Sequence, residues 1–489
     1  MNQLLLERET GAVGPNAFAR LQTTQLLRSF RPAPQYRFDG GGRGIAVSDG
    51  VASSSDAGPA IWAHQAGVSA LALERFDGRI LVSGGSDGSI KLWDLEGCRN
   101  PSHPHTFKPA DTIRPSAQTH SFGITHLSFY PFDAAAFLST SYDRTLKLWS
   151  TKQATLSASF GLGSRIYTHA ISPIASHLLV ACGTQHPAIR LVDLRSGSNI
   201  QSLTGHGGAI LAAAWSPRHE HVLATGGADG TVRIWDIRRA GALIGMLDHE
   251  DSLGLYYNGL LGDDGKVGMR ASAKAHVAPV NGLTWTDDGG YLVSAGHDHR
   301  IRVWDAATGR NTLAGFGPSI RNSQLASVTM FTSPAGLTHP GRELLFWPNE
   351  TEILVCDLHG GRIITRLRGT GAAIAGIRSS SSPSPSKKSE RSVKNRISSI
   401  VWRGAGGAGG SGGGVVMGGT NMPGAMFSAH LDGQIRAWAP WLEGSDEDAD
   451  GDDTGEEEEE EKKGQEKARK RKALDDIYKS LIGQKITFT

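Results

Sequence analysis

The sequence predicts an all-β fold, a propeller of seven blades, on three observations. Glycine makes up 63 of the 489 residues, which favours many tight turns over long helices. Short apolar and β-branched runs alternate with turn residues along most of the chain. Four residue types, His, Ser or Thr, Asp and Trp, return in near-identical register, which marks an internal repeat.

Residues 206–239 show the unit most clearly. Their runs AILAAAW, HVLATG and TVRIWDI are separated by Ser216 and Pro217, then by Asp229 and Gly230, the chemistry of turns. A sheet of this kind has two solvated edges and little core of its own, so it needs like neighbours on both sides. Its marker residues are His206, Thr225, Asp229 and Trp235. Upstream copies carry His64, Ser83, Asp87 and Trp93, then His120, Ser139, Asp143 and Trp149; downstream lies His276, Ser294, Asp298 and Trp304. Three further copies are worn. Residues 166–195 have Cys182, His186 and Val192 at the hydroxyl, Asp and Trp positions, and residues 343–358 end in Cys356 and Asp357 with Glu350 in place of Asp. The last keeps Ser428, Asp432 and Trp438, with Thr370 where His is expected.

These types suit one another chemically. Indole N–H only donates, hydroxyl and imidazole do both, and a carboxylate only accepts, so a Trp, Ser/Thr, His, Asp chain satisfies itself where bare polar groups would be costly. The pattern resembles the WD repeat, and seven copies imply a seven-bladed WD-repeat β-propeller that leaves only short, protected edges. In that family the repeat is offset from the blade by one strand, so an N-terminal strand, placed at residues 34–47, is expected to complete the last blade.

The propeller is expected over 34–443, with disordered inserts near 97–115, 250–272, 378–396 and 404–423, stretches poor in buriable side chains. Residues 444–489 form an acidic and then basic tail, with Leu474, Ile477, Tyr478 and Leu481 at the spacing of a short helix. Its cluster Lys467, Arg469, Lys470, Arg471 and Lys472 reads as a nuclear-import signal or as a solubilising tail. Residues 1–33 read as two short helices, NQLLLERE and then a second from Pro15, broken at Gly11 and Gly14. The apolar run Leu4, Leu5, Leu6 either packs on the ring or docks into a partner.

Several chemistries find no support. Gly84 to Gly88 satisfies the GxSxG pattern of a hydrolase, but a strand-like run follows it where a nucleophile elbow needs a helix. Cys98, Cys182 and Cys356 show no CxxC pairing, and the regularly placed histidines are explained by the repeat, so neither metal nor cofactor is expected. GDDGK at 262–266 lacks the flanks of a phosphate loop. A formal net charge of +2 gives no general ground for sequence-specific nucleic-acid binding, and no apolar window is long enough for a membrane span. A non-catalytic interaction protein is the expectation.

MNQLLLERETG leading into RLQTTQLLRSF, then LVSGGSDGSIKLWDLE, YPFDAAAFLSTSYDRTLKLWST, YTHAISP and LATGGADGTVRIWDIRRAG, resemble the Cockayne syndrome protein A family over residues 1 to about 443. The resemblance implies a substrate receptor of a cullin-RING ubiquitin ligase, nuclear, acting in transcription-coupled nucleotide-excision repair. It implies that an N-terminal helix-loop-helix and one propeller face bind the damage-specific DNA-binding adaptor subunit. A Cockayne syndrome protein B-like remodeller and stalled RNA polymerase II are the implied targets. The implied adaptor contacts are Leu4, Leu5, Leu6, Arg8, Phe18 and Leu21, with Trp235, Asp236 and Arg238 as a WDxR box and Arg195 at the matching place one repeat earlier. Arg238 has a second reading, a local salt link to Asp236. The alternative function is a WD scaffold of a nuclear chromatin or RNA-processing complex.

Overall fold

The computed structural model describes residues 2–41, 61–98, 103–174, 176–197, 199–239, 242–254, 273–334, 337–339, 341–369, 396–403 and 426–440. Seven antiparallel sheets, six of four strands and one of three among the described residues, follow one another around a ring. The inner strands, in order from the first blade to the seventh, are Val68–Leu73, Ile124–Phe129, Ile166–Ile171, Ile210–Trp215, Val280–Trp285, Phe331–Thr332 and Ile397–Trp402. The fold is a seven-bladed β-propeller.

Packing between blades explains why the strands lack clean two-residue alternation. In the fourth blade all six residues of Val222–Gly227 are buried, because each face of the sheet is covered by a neighbouring blade. Val222, Ala224, Val232 and Ile234 thus share one apolar cluster with Val280, Trp285, Leu292 and Trp304 of the fifth blade. Outer strands, covered less, stay polar: Leu156–Gly161 buries only Phe160. A bulge interrupts the inner ladder at Val68/Ala70, Ile124/His126, Ile166/Thr168, Ile210/Ala212, Val280/Gly282 and Ile397/Ser399. The extra residue adds local twist to these six sheets.

Two expectations are corrected. The strand that closes the last blade is Phe30–Pro32, not residues 34–47: Phe30 pairs with Pro440 and Pro32 with Trp438. Within 34–47, Tyr36–Phe38 instead pairs in parallel with His105–Phe107. The stretch 97–115 is therefore not a disordered insert over its described part. Phe107 stacks on Phe38 with ring centroids 5.0 Å apart, and Phe38 meets Trp93 and Phe427 edge-on, a buried aromatic knot between the first and seventh blades. Pro109–Ile113 follows as the outer strand of the first blade. Prolines and histidines around one phenylalanine hid that knot. Most of 250–272, and the inserts at 378–396 (save Arg396) and 404–423, lie outside the described residues, as does the tail from 444.

Two helices precede the ring, Asn2–Glu9 (α1) and Pro15–Arg28 (α2). Gly14 is the N-cap of α2 with Pro15 at its first position, where a missing N–H costs nothing. Leu27, 1% exposed, enters the cluster of Phe30, Leu337, Phe346 and Trp438, so α2 is fastened to the seam of the sixth and seventh blades. Thr23 adds a hydrogen bond from its hydroxyl to the Leu337 carbonyl.

Candidate functional site

The marker residues meet inside their blades. In the second, Trp149 Nε1 donates to Ser139 Oγ at 2.7 Å, Ser139 Oγ lies 2.6 Å from His120 Nε2, and His120 Nδ1 lies 2.7 Å from Asp143 Oδ2. The fourth and fifth repeat this with Trp235, Thr225, His206, Asp229 and with Trp304, Ser294, His276, Asp298. In the first, Trp93, Ser83 and His64 are joined in the same way, but His64 Nδ1 and Asp87 Oδ1 are 4.0 Å apart and Ser89 bridges them. Burial would raise the Asp298 carboxyl, but His276 and Arg302 outweigh it and hold the group far below the usual carboxylate range. Burial pushes His64 down to about 4, with Lys91 adding to the shift and Asp87 opposing it. These groups are locked in a structural role.

The worn blades solve the same problem differently. In the seventh, Trp438 Nε1 donates to Ser428 Oγ at 2.9 Å, and the imidazole comes from His430, whose Nε2 is 2.9 Å from that hydroxyl. Thr370, the residue at the His position in sequence, lies outside the described residues, and Asp432 pairs with Arg436 at 2.7 Å. His430, two residues beyond Ser428, was legible only once the middle strand was placed. In the third blade Cys182 pairs with Arg190 as Ser139 pairs with Lys147, so a buried thiol occupies the hydroxyl position. In the sixth that place falls to the fully buried Trp347, two residues beyond the partner of Cys356.

Ser86, the serine of the GxSxG match, sits on the hairpin between Ile80–Gly85 and Ile90–Asp94, so the strand-to-helix turn of a nucleophile elbow is absent there. Among the described residues no group of His, Cys, Asp and Glu could hold a metal ion, and no helix is long and apolar enough to cross a membrane.

The expected adaptor contacts lie at the other end of the blades, where α2 meets the Pro440 end of the last strand. In α1, Leu6 is 59% exposed and Arg8 is exposed; of Leu4 and Leu5 only their place in the helix is described. Phe18 and Leu21 are half-buried in α2. Leu21, Thr24, Gln25 and Arg28 line a cleft of about 470 Å³ with His339 and Arg342. Nothing in the spacing of residues points to the His339 and Arg342 wall, which comes from a loop of the sixth blade.

On the fourth blade the WDxR box divides. Trp235 and Asp236 are 1% and 2% exposed, so neither presents a surface; Trp235 is committed to Thr225 and Asp236 to the arginine that follows. Arg238 is the member left outside, its side chain 63% exposed while bound to Asp236. The local salt link and an outward guanidinium face therefore coexist. Arg239 adds a second contact to Asp236 at 3.6 Å, and the hydrogen bond from Arg238 is the main cause of a depressed Asp236 pKa. Arg195 occupies the same turn of the third blade, its N–H donating to Asp193 Oδ1 at 2.9 Å as that of Arg238 does to Asp236 at 3.0 Å. Arg218 stands close by and, with Arg238, acts on His219, while Glu220 acts on Arg238.

The sequence profile of the WD domain, G-beta repeat, matches residues 60–94, 113–150, 197–236 and 270–305, and the chain carries WD repeats. The chain is similar to the WD repeat-containing protein ATCSA-1 of Arabidopsis thaliana, 27% identical over 76% of this chain and 88% of that protein. It is also similar to ribosome biogenesis protein YTM1 of Phaeosphaeria nodorum, 27% identical over 50% of this chain and 55% of that protein. A third likeness is to radiation-sensitive protein 28 of Saccharomyces cerevisiae, 29% identical over 39% of each chain.

Proposed function

We propose that this WD-repeat propeller is a non-catalytic substrate receptor of a cullin-RING ubiquitin ligase, acting in transcription-coupled nucleotide-excision repair in the nucleus. The observation that carries the reading is the anchored N-terminal helix pair: α2 is fixed through Leu27, while α1 presents Leu6 and Arg8 to solvent. A fixed base with an uncovered apolar end suits a docking element. The resemblance to the Cockayne syndrome protein A family includes these helices, and the likeness to ATCSA-1 spans most of both chains, whereas the likeness to YTM1 spans about half of each.

In this reading α1, the cleft beside α2, and the rim arginines Arg195 and Arg238 grip the damage-specific DNA-binding adaptor. The chain's contribution is to hold a target, a Cockayne syndrome protein B-like remodeller or stalled RNA polymerase II, at high effective concentration near the ubiquitin-loading subunits. Lys467, Arg469, Lys470, Arg471 and Lys472 supply the nuclear address; residues 462–489 fused to a fluorescent protein would concentrate it in nuclei, and a diffuse signal would remove that role.

Capture of the tagged full chain from ultraviolet-treated cells, followed by mass spectrometry, tests the whole. Adaptor and repair target recovered together support the receptor. Ribosome-assembly or chromatin proteins recovered without the adaptor replace it with a nuclear scaffold, the reading favoured by the similarity to YTM1 and to histone acetyltransferase type B subunit 2 of Candida glabrata.

A further inference from the structure

At three positions in the turns at the His and Asp end of the blades, the second blade carries a large side chain each time, which the first, fourth and fifth blades do not. Two residues beyond the marker His stand Ala66, Gly208 and Ala278 in the first, fourth and fifth blades, but Phe122 in the second. Just before the turn Asp stand Ser86, Ala228, His297 and Leu431, but Tyr142 in the second. Just after it, Gly88, Gly230 and Gly433 take φ of 84°, 80° and 86°, whereas the fifth blade holds His299 there at φ 57° and the second holds Arg144 at φ 70°. An L side chain in that region is strained where glycine is not. The second blade thus carries a bulky cation at a position that glycine fills more cheaply.

Hydrogen bonds draw the backbones of these residues together. Ser141 Oγ donates to the Phe122 carbonyl at 2.8 Å, and the Tyr142 N–H donates to the Gly123 carbonyl at 3.3 Å. Tyr142 meets Tyr167 of the third blade edge-on, with ring centroids 6.2 Å apart. Arg165, two residues before Tyr167, is near enough to act on the Tyr142 phenol, whose pKa burial raises and Arg165 opposes. Phe122 is 62% exposed and Tyr142 38%, large for apolar rings on a monomer surface.

Charge decides what fits on these rings. Arg144 and Arg165 are exposed, and among the described residues neither side chain has an ion pair or hydrogen bond. Asp143 between them is 8% exposed and already bound by His120 and Thr145. The first blade's Asp87 is taken by Ser89. Two exposed guanidinium groups, Arg165 close to the Tyr142 phenol and Arg144 two residues along from it, match a segment in which carboxylates alternate with apolar side chains, since Arg pairs with carboxylate in two-pronged fashion and its plane stacks on rings.

We propose that Phe122, Tyr142, Arg144, Arg165 and Tyr167 form a docking site for an acidic, apolar-interspersed peptide segment of a partner protein. The site is at the end of the blades opposite α2: the Phe30 end of the closing strand pairs with Pro440, away from the Asp432 turn that corresponds to the Asp143 turn. It goes beyond the receptor reading and does not depend on it.

The test is fluorescence anisotropy on the full-length chain with labelled peptides of about ten residues in which Glu alternates with Leu and Trp. The controls are the same peptide with Gln for Glu, and a single-stranded oligonucleotide of about twenty nucleotides. Arg144→Gly installs the residue type of the first, fourth and seventh turns, so its melting temperature is expected to equal or exceed that of wild type. Saturable binding is expected, about tenfold weaker for the Gln peptide and about fivefold weaker for Arg144→Gly, for Arg165→Gln and for Phe122→Ala, with Arg300→Gln on the fifth blade unaffected. No saturable binding, equal binding of the Gln peptide, unchanged binding by folded Arg144→Gly, or tighter binding of the oligonucleotide would each overturn the proposal.

Discussion

Arg238 clasps Asp236 with two guanidinium nitrogens, Nε at 3.0 Å from Oδ1 and Nη2 at 2.8 Å from Oδ2, while its other edge faces solvent. The buried carboxylate therefore aims an exposed arginine outward from the rim. Arg238→Lys keeps the charge and loses the fork. The expected result is a melting temperature within a few degrees of wild type, because Lys keeps a cation at the exposed end of the pair and Arg239 stays on Asp236. Asp236→Ala removes the acceptor of two arginines and of a backbone N–H, and should melt measurably lower than Arg238→Lys in the same scan.

Ser139 is the shared atom of its blade, accepting from Trp149 and hydrogen-bonded to His120. Ser139→Ala leaves a buried indole N–H and an imidazole nitrogen without a partner, a cost of about 2–4 kcal/mol. Cys182→Ala, at the matching place in the third blade, removes a thiol with no such indole above it and should cost about 1–2 kcal/mol. Thermal unfolding followed by circular dichroism should rank the two in that order; equal losses would mean the polar chain contributes no more than packing.

Acid should weaken the ring before carboxylates titrate. Burial pushes His64 and His126 down to about 4, and burial together with His126 pushes His169 well below its ordinary value. A histidine held neutral in the fold stabilises fully above its unfolded pKa of about 6.5, and that stability is lost as pH falls below it toward the folded value. Asp229 and Asp298, depressed by their histidine partners against the effect of burial, lose their share only below about pH 4. The melting temperature should drop by about 5 °C or more between about pH 7.5 and 5, and the slope should flatten in His126→Gln. A flat profile in wild type would contradict the buried neutral pair.

Much of the ring could be read from the chain because the polar quartet must recur wherever a blade is built this way. The helix boundaries followed from Gly14 and Pro15. What could not be read were contacts made across long gaps: the closing strand Phe30–Pro32, whose partner lies some four hundred residues on, and Phe107, whose burial depends on Phe38 and Phe427. The WDxR box showed a second limit. Spacing placed Trp235, Asp236 and Arg238 together, but only the strand's alternation and the turn decide that the first two face inward.

Phe30 and Leu27 make the N-terminus part of the core, which separates two truncations. Removing residues 1–9 takes away α1 alone and should leave soluble protein with a cooperative melt. Removing residues 1–33 strips the closing strand and uncovers the cluster around Phe346 and Trp438, so insoluble or non-cooperative protein is expected. Equal solubility of the two would show that the ring closes without that strand.

The receptor account rests on α1 and the rim arginines meeting the adaptor, and quantitative co-purification of the adaptor subunit with full-length protein tests it directly. Wild type should retain the adaptor, and Leu6→Glu with Arg8→Glu should lose it by about tenfold or more while melting like wild type, with Arg238→Lys intermediate. Full adaptor recovery by the folded double variant, or none by wild type, would contradict the account.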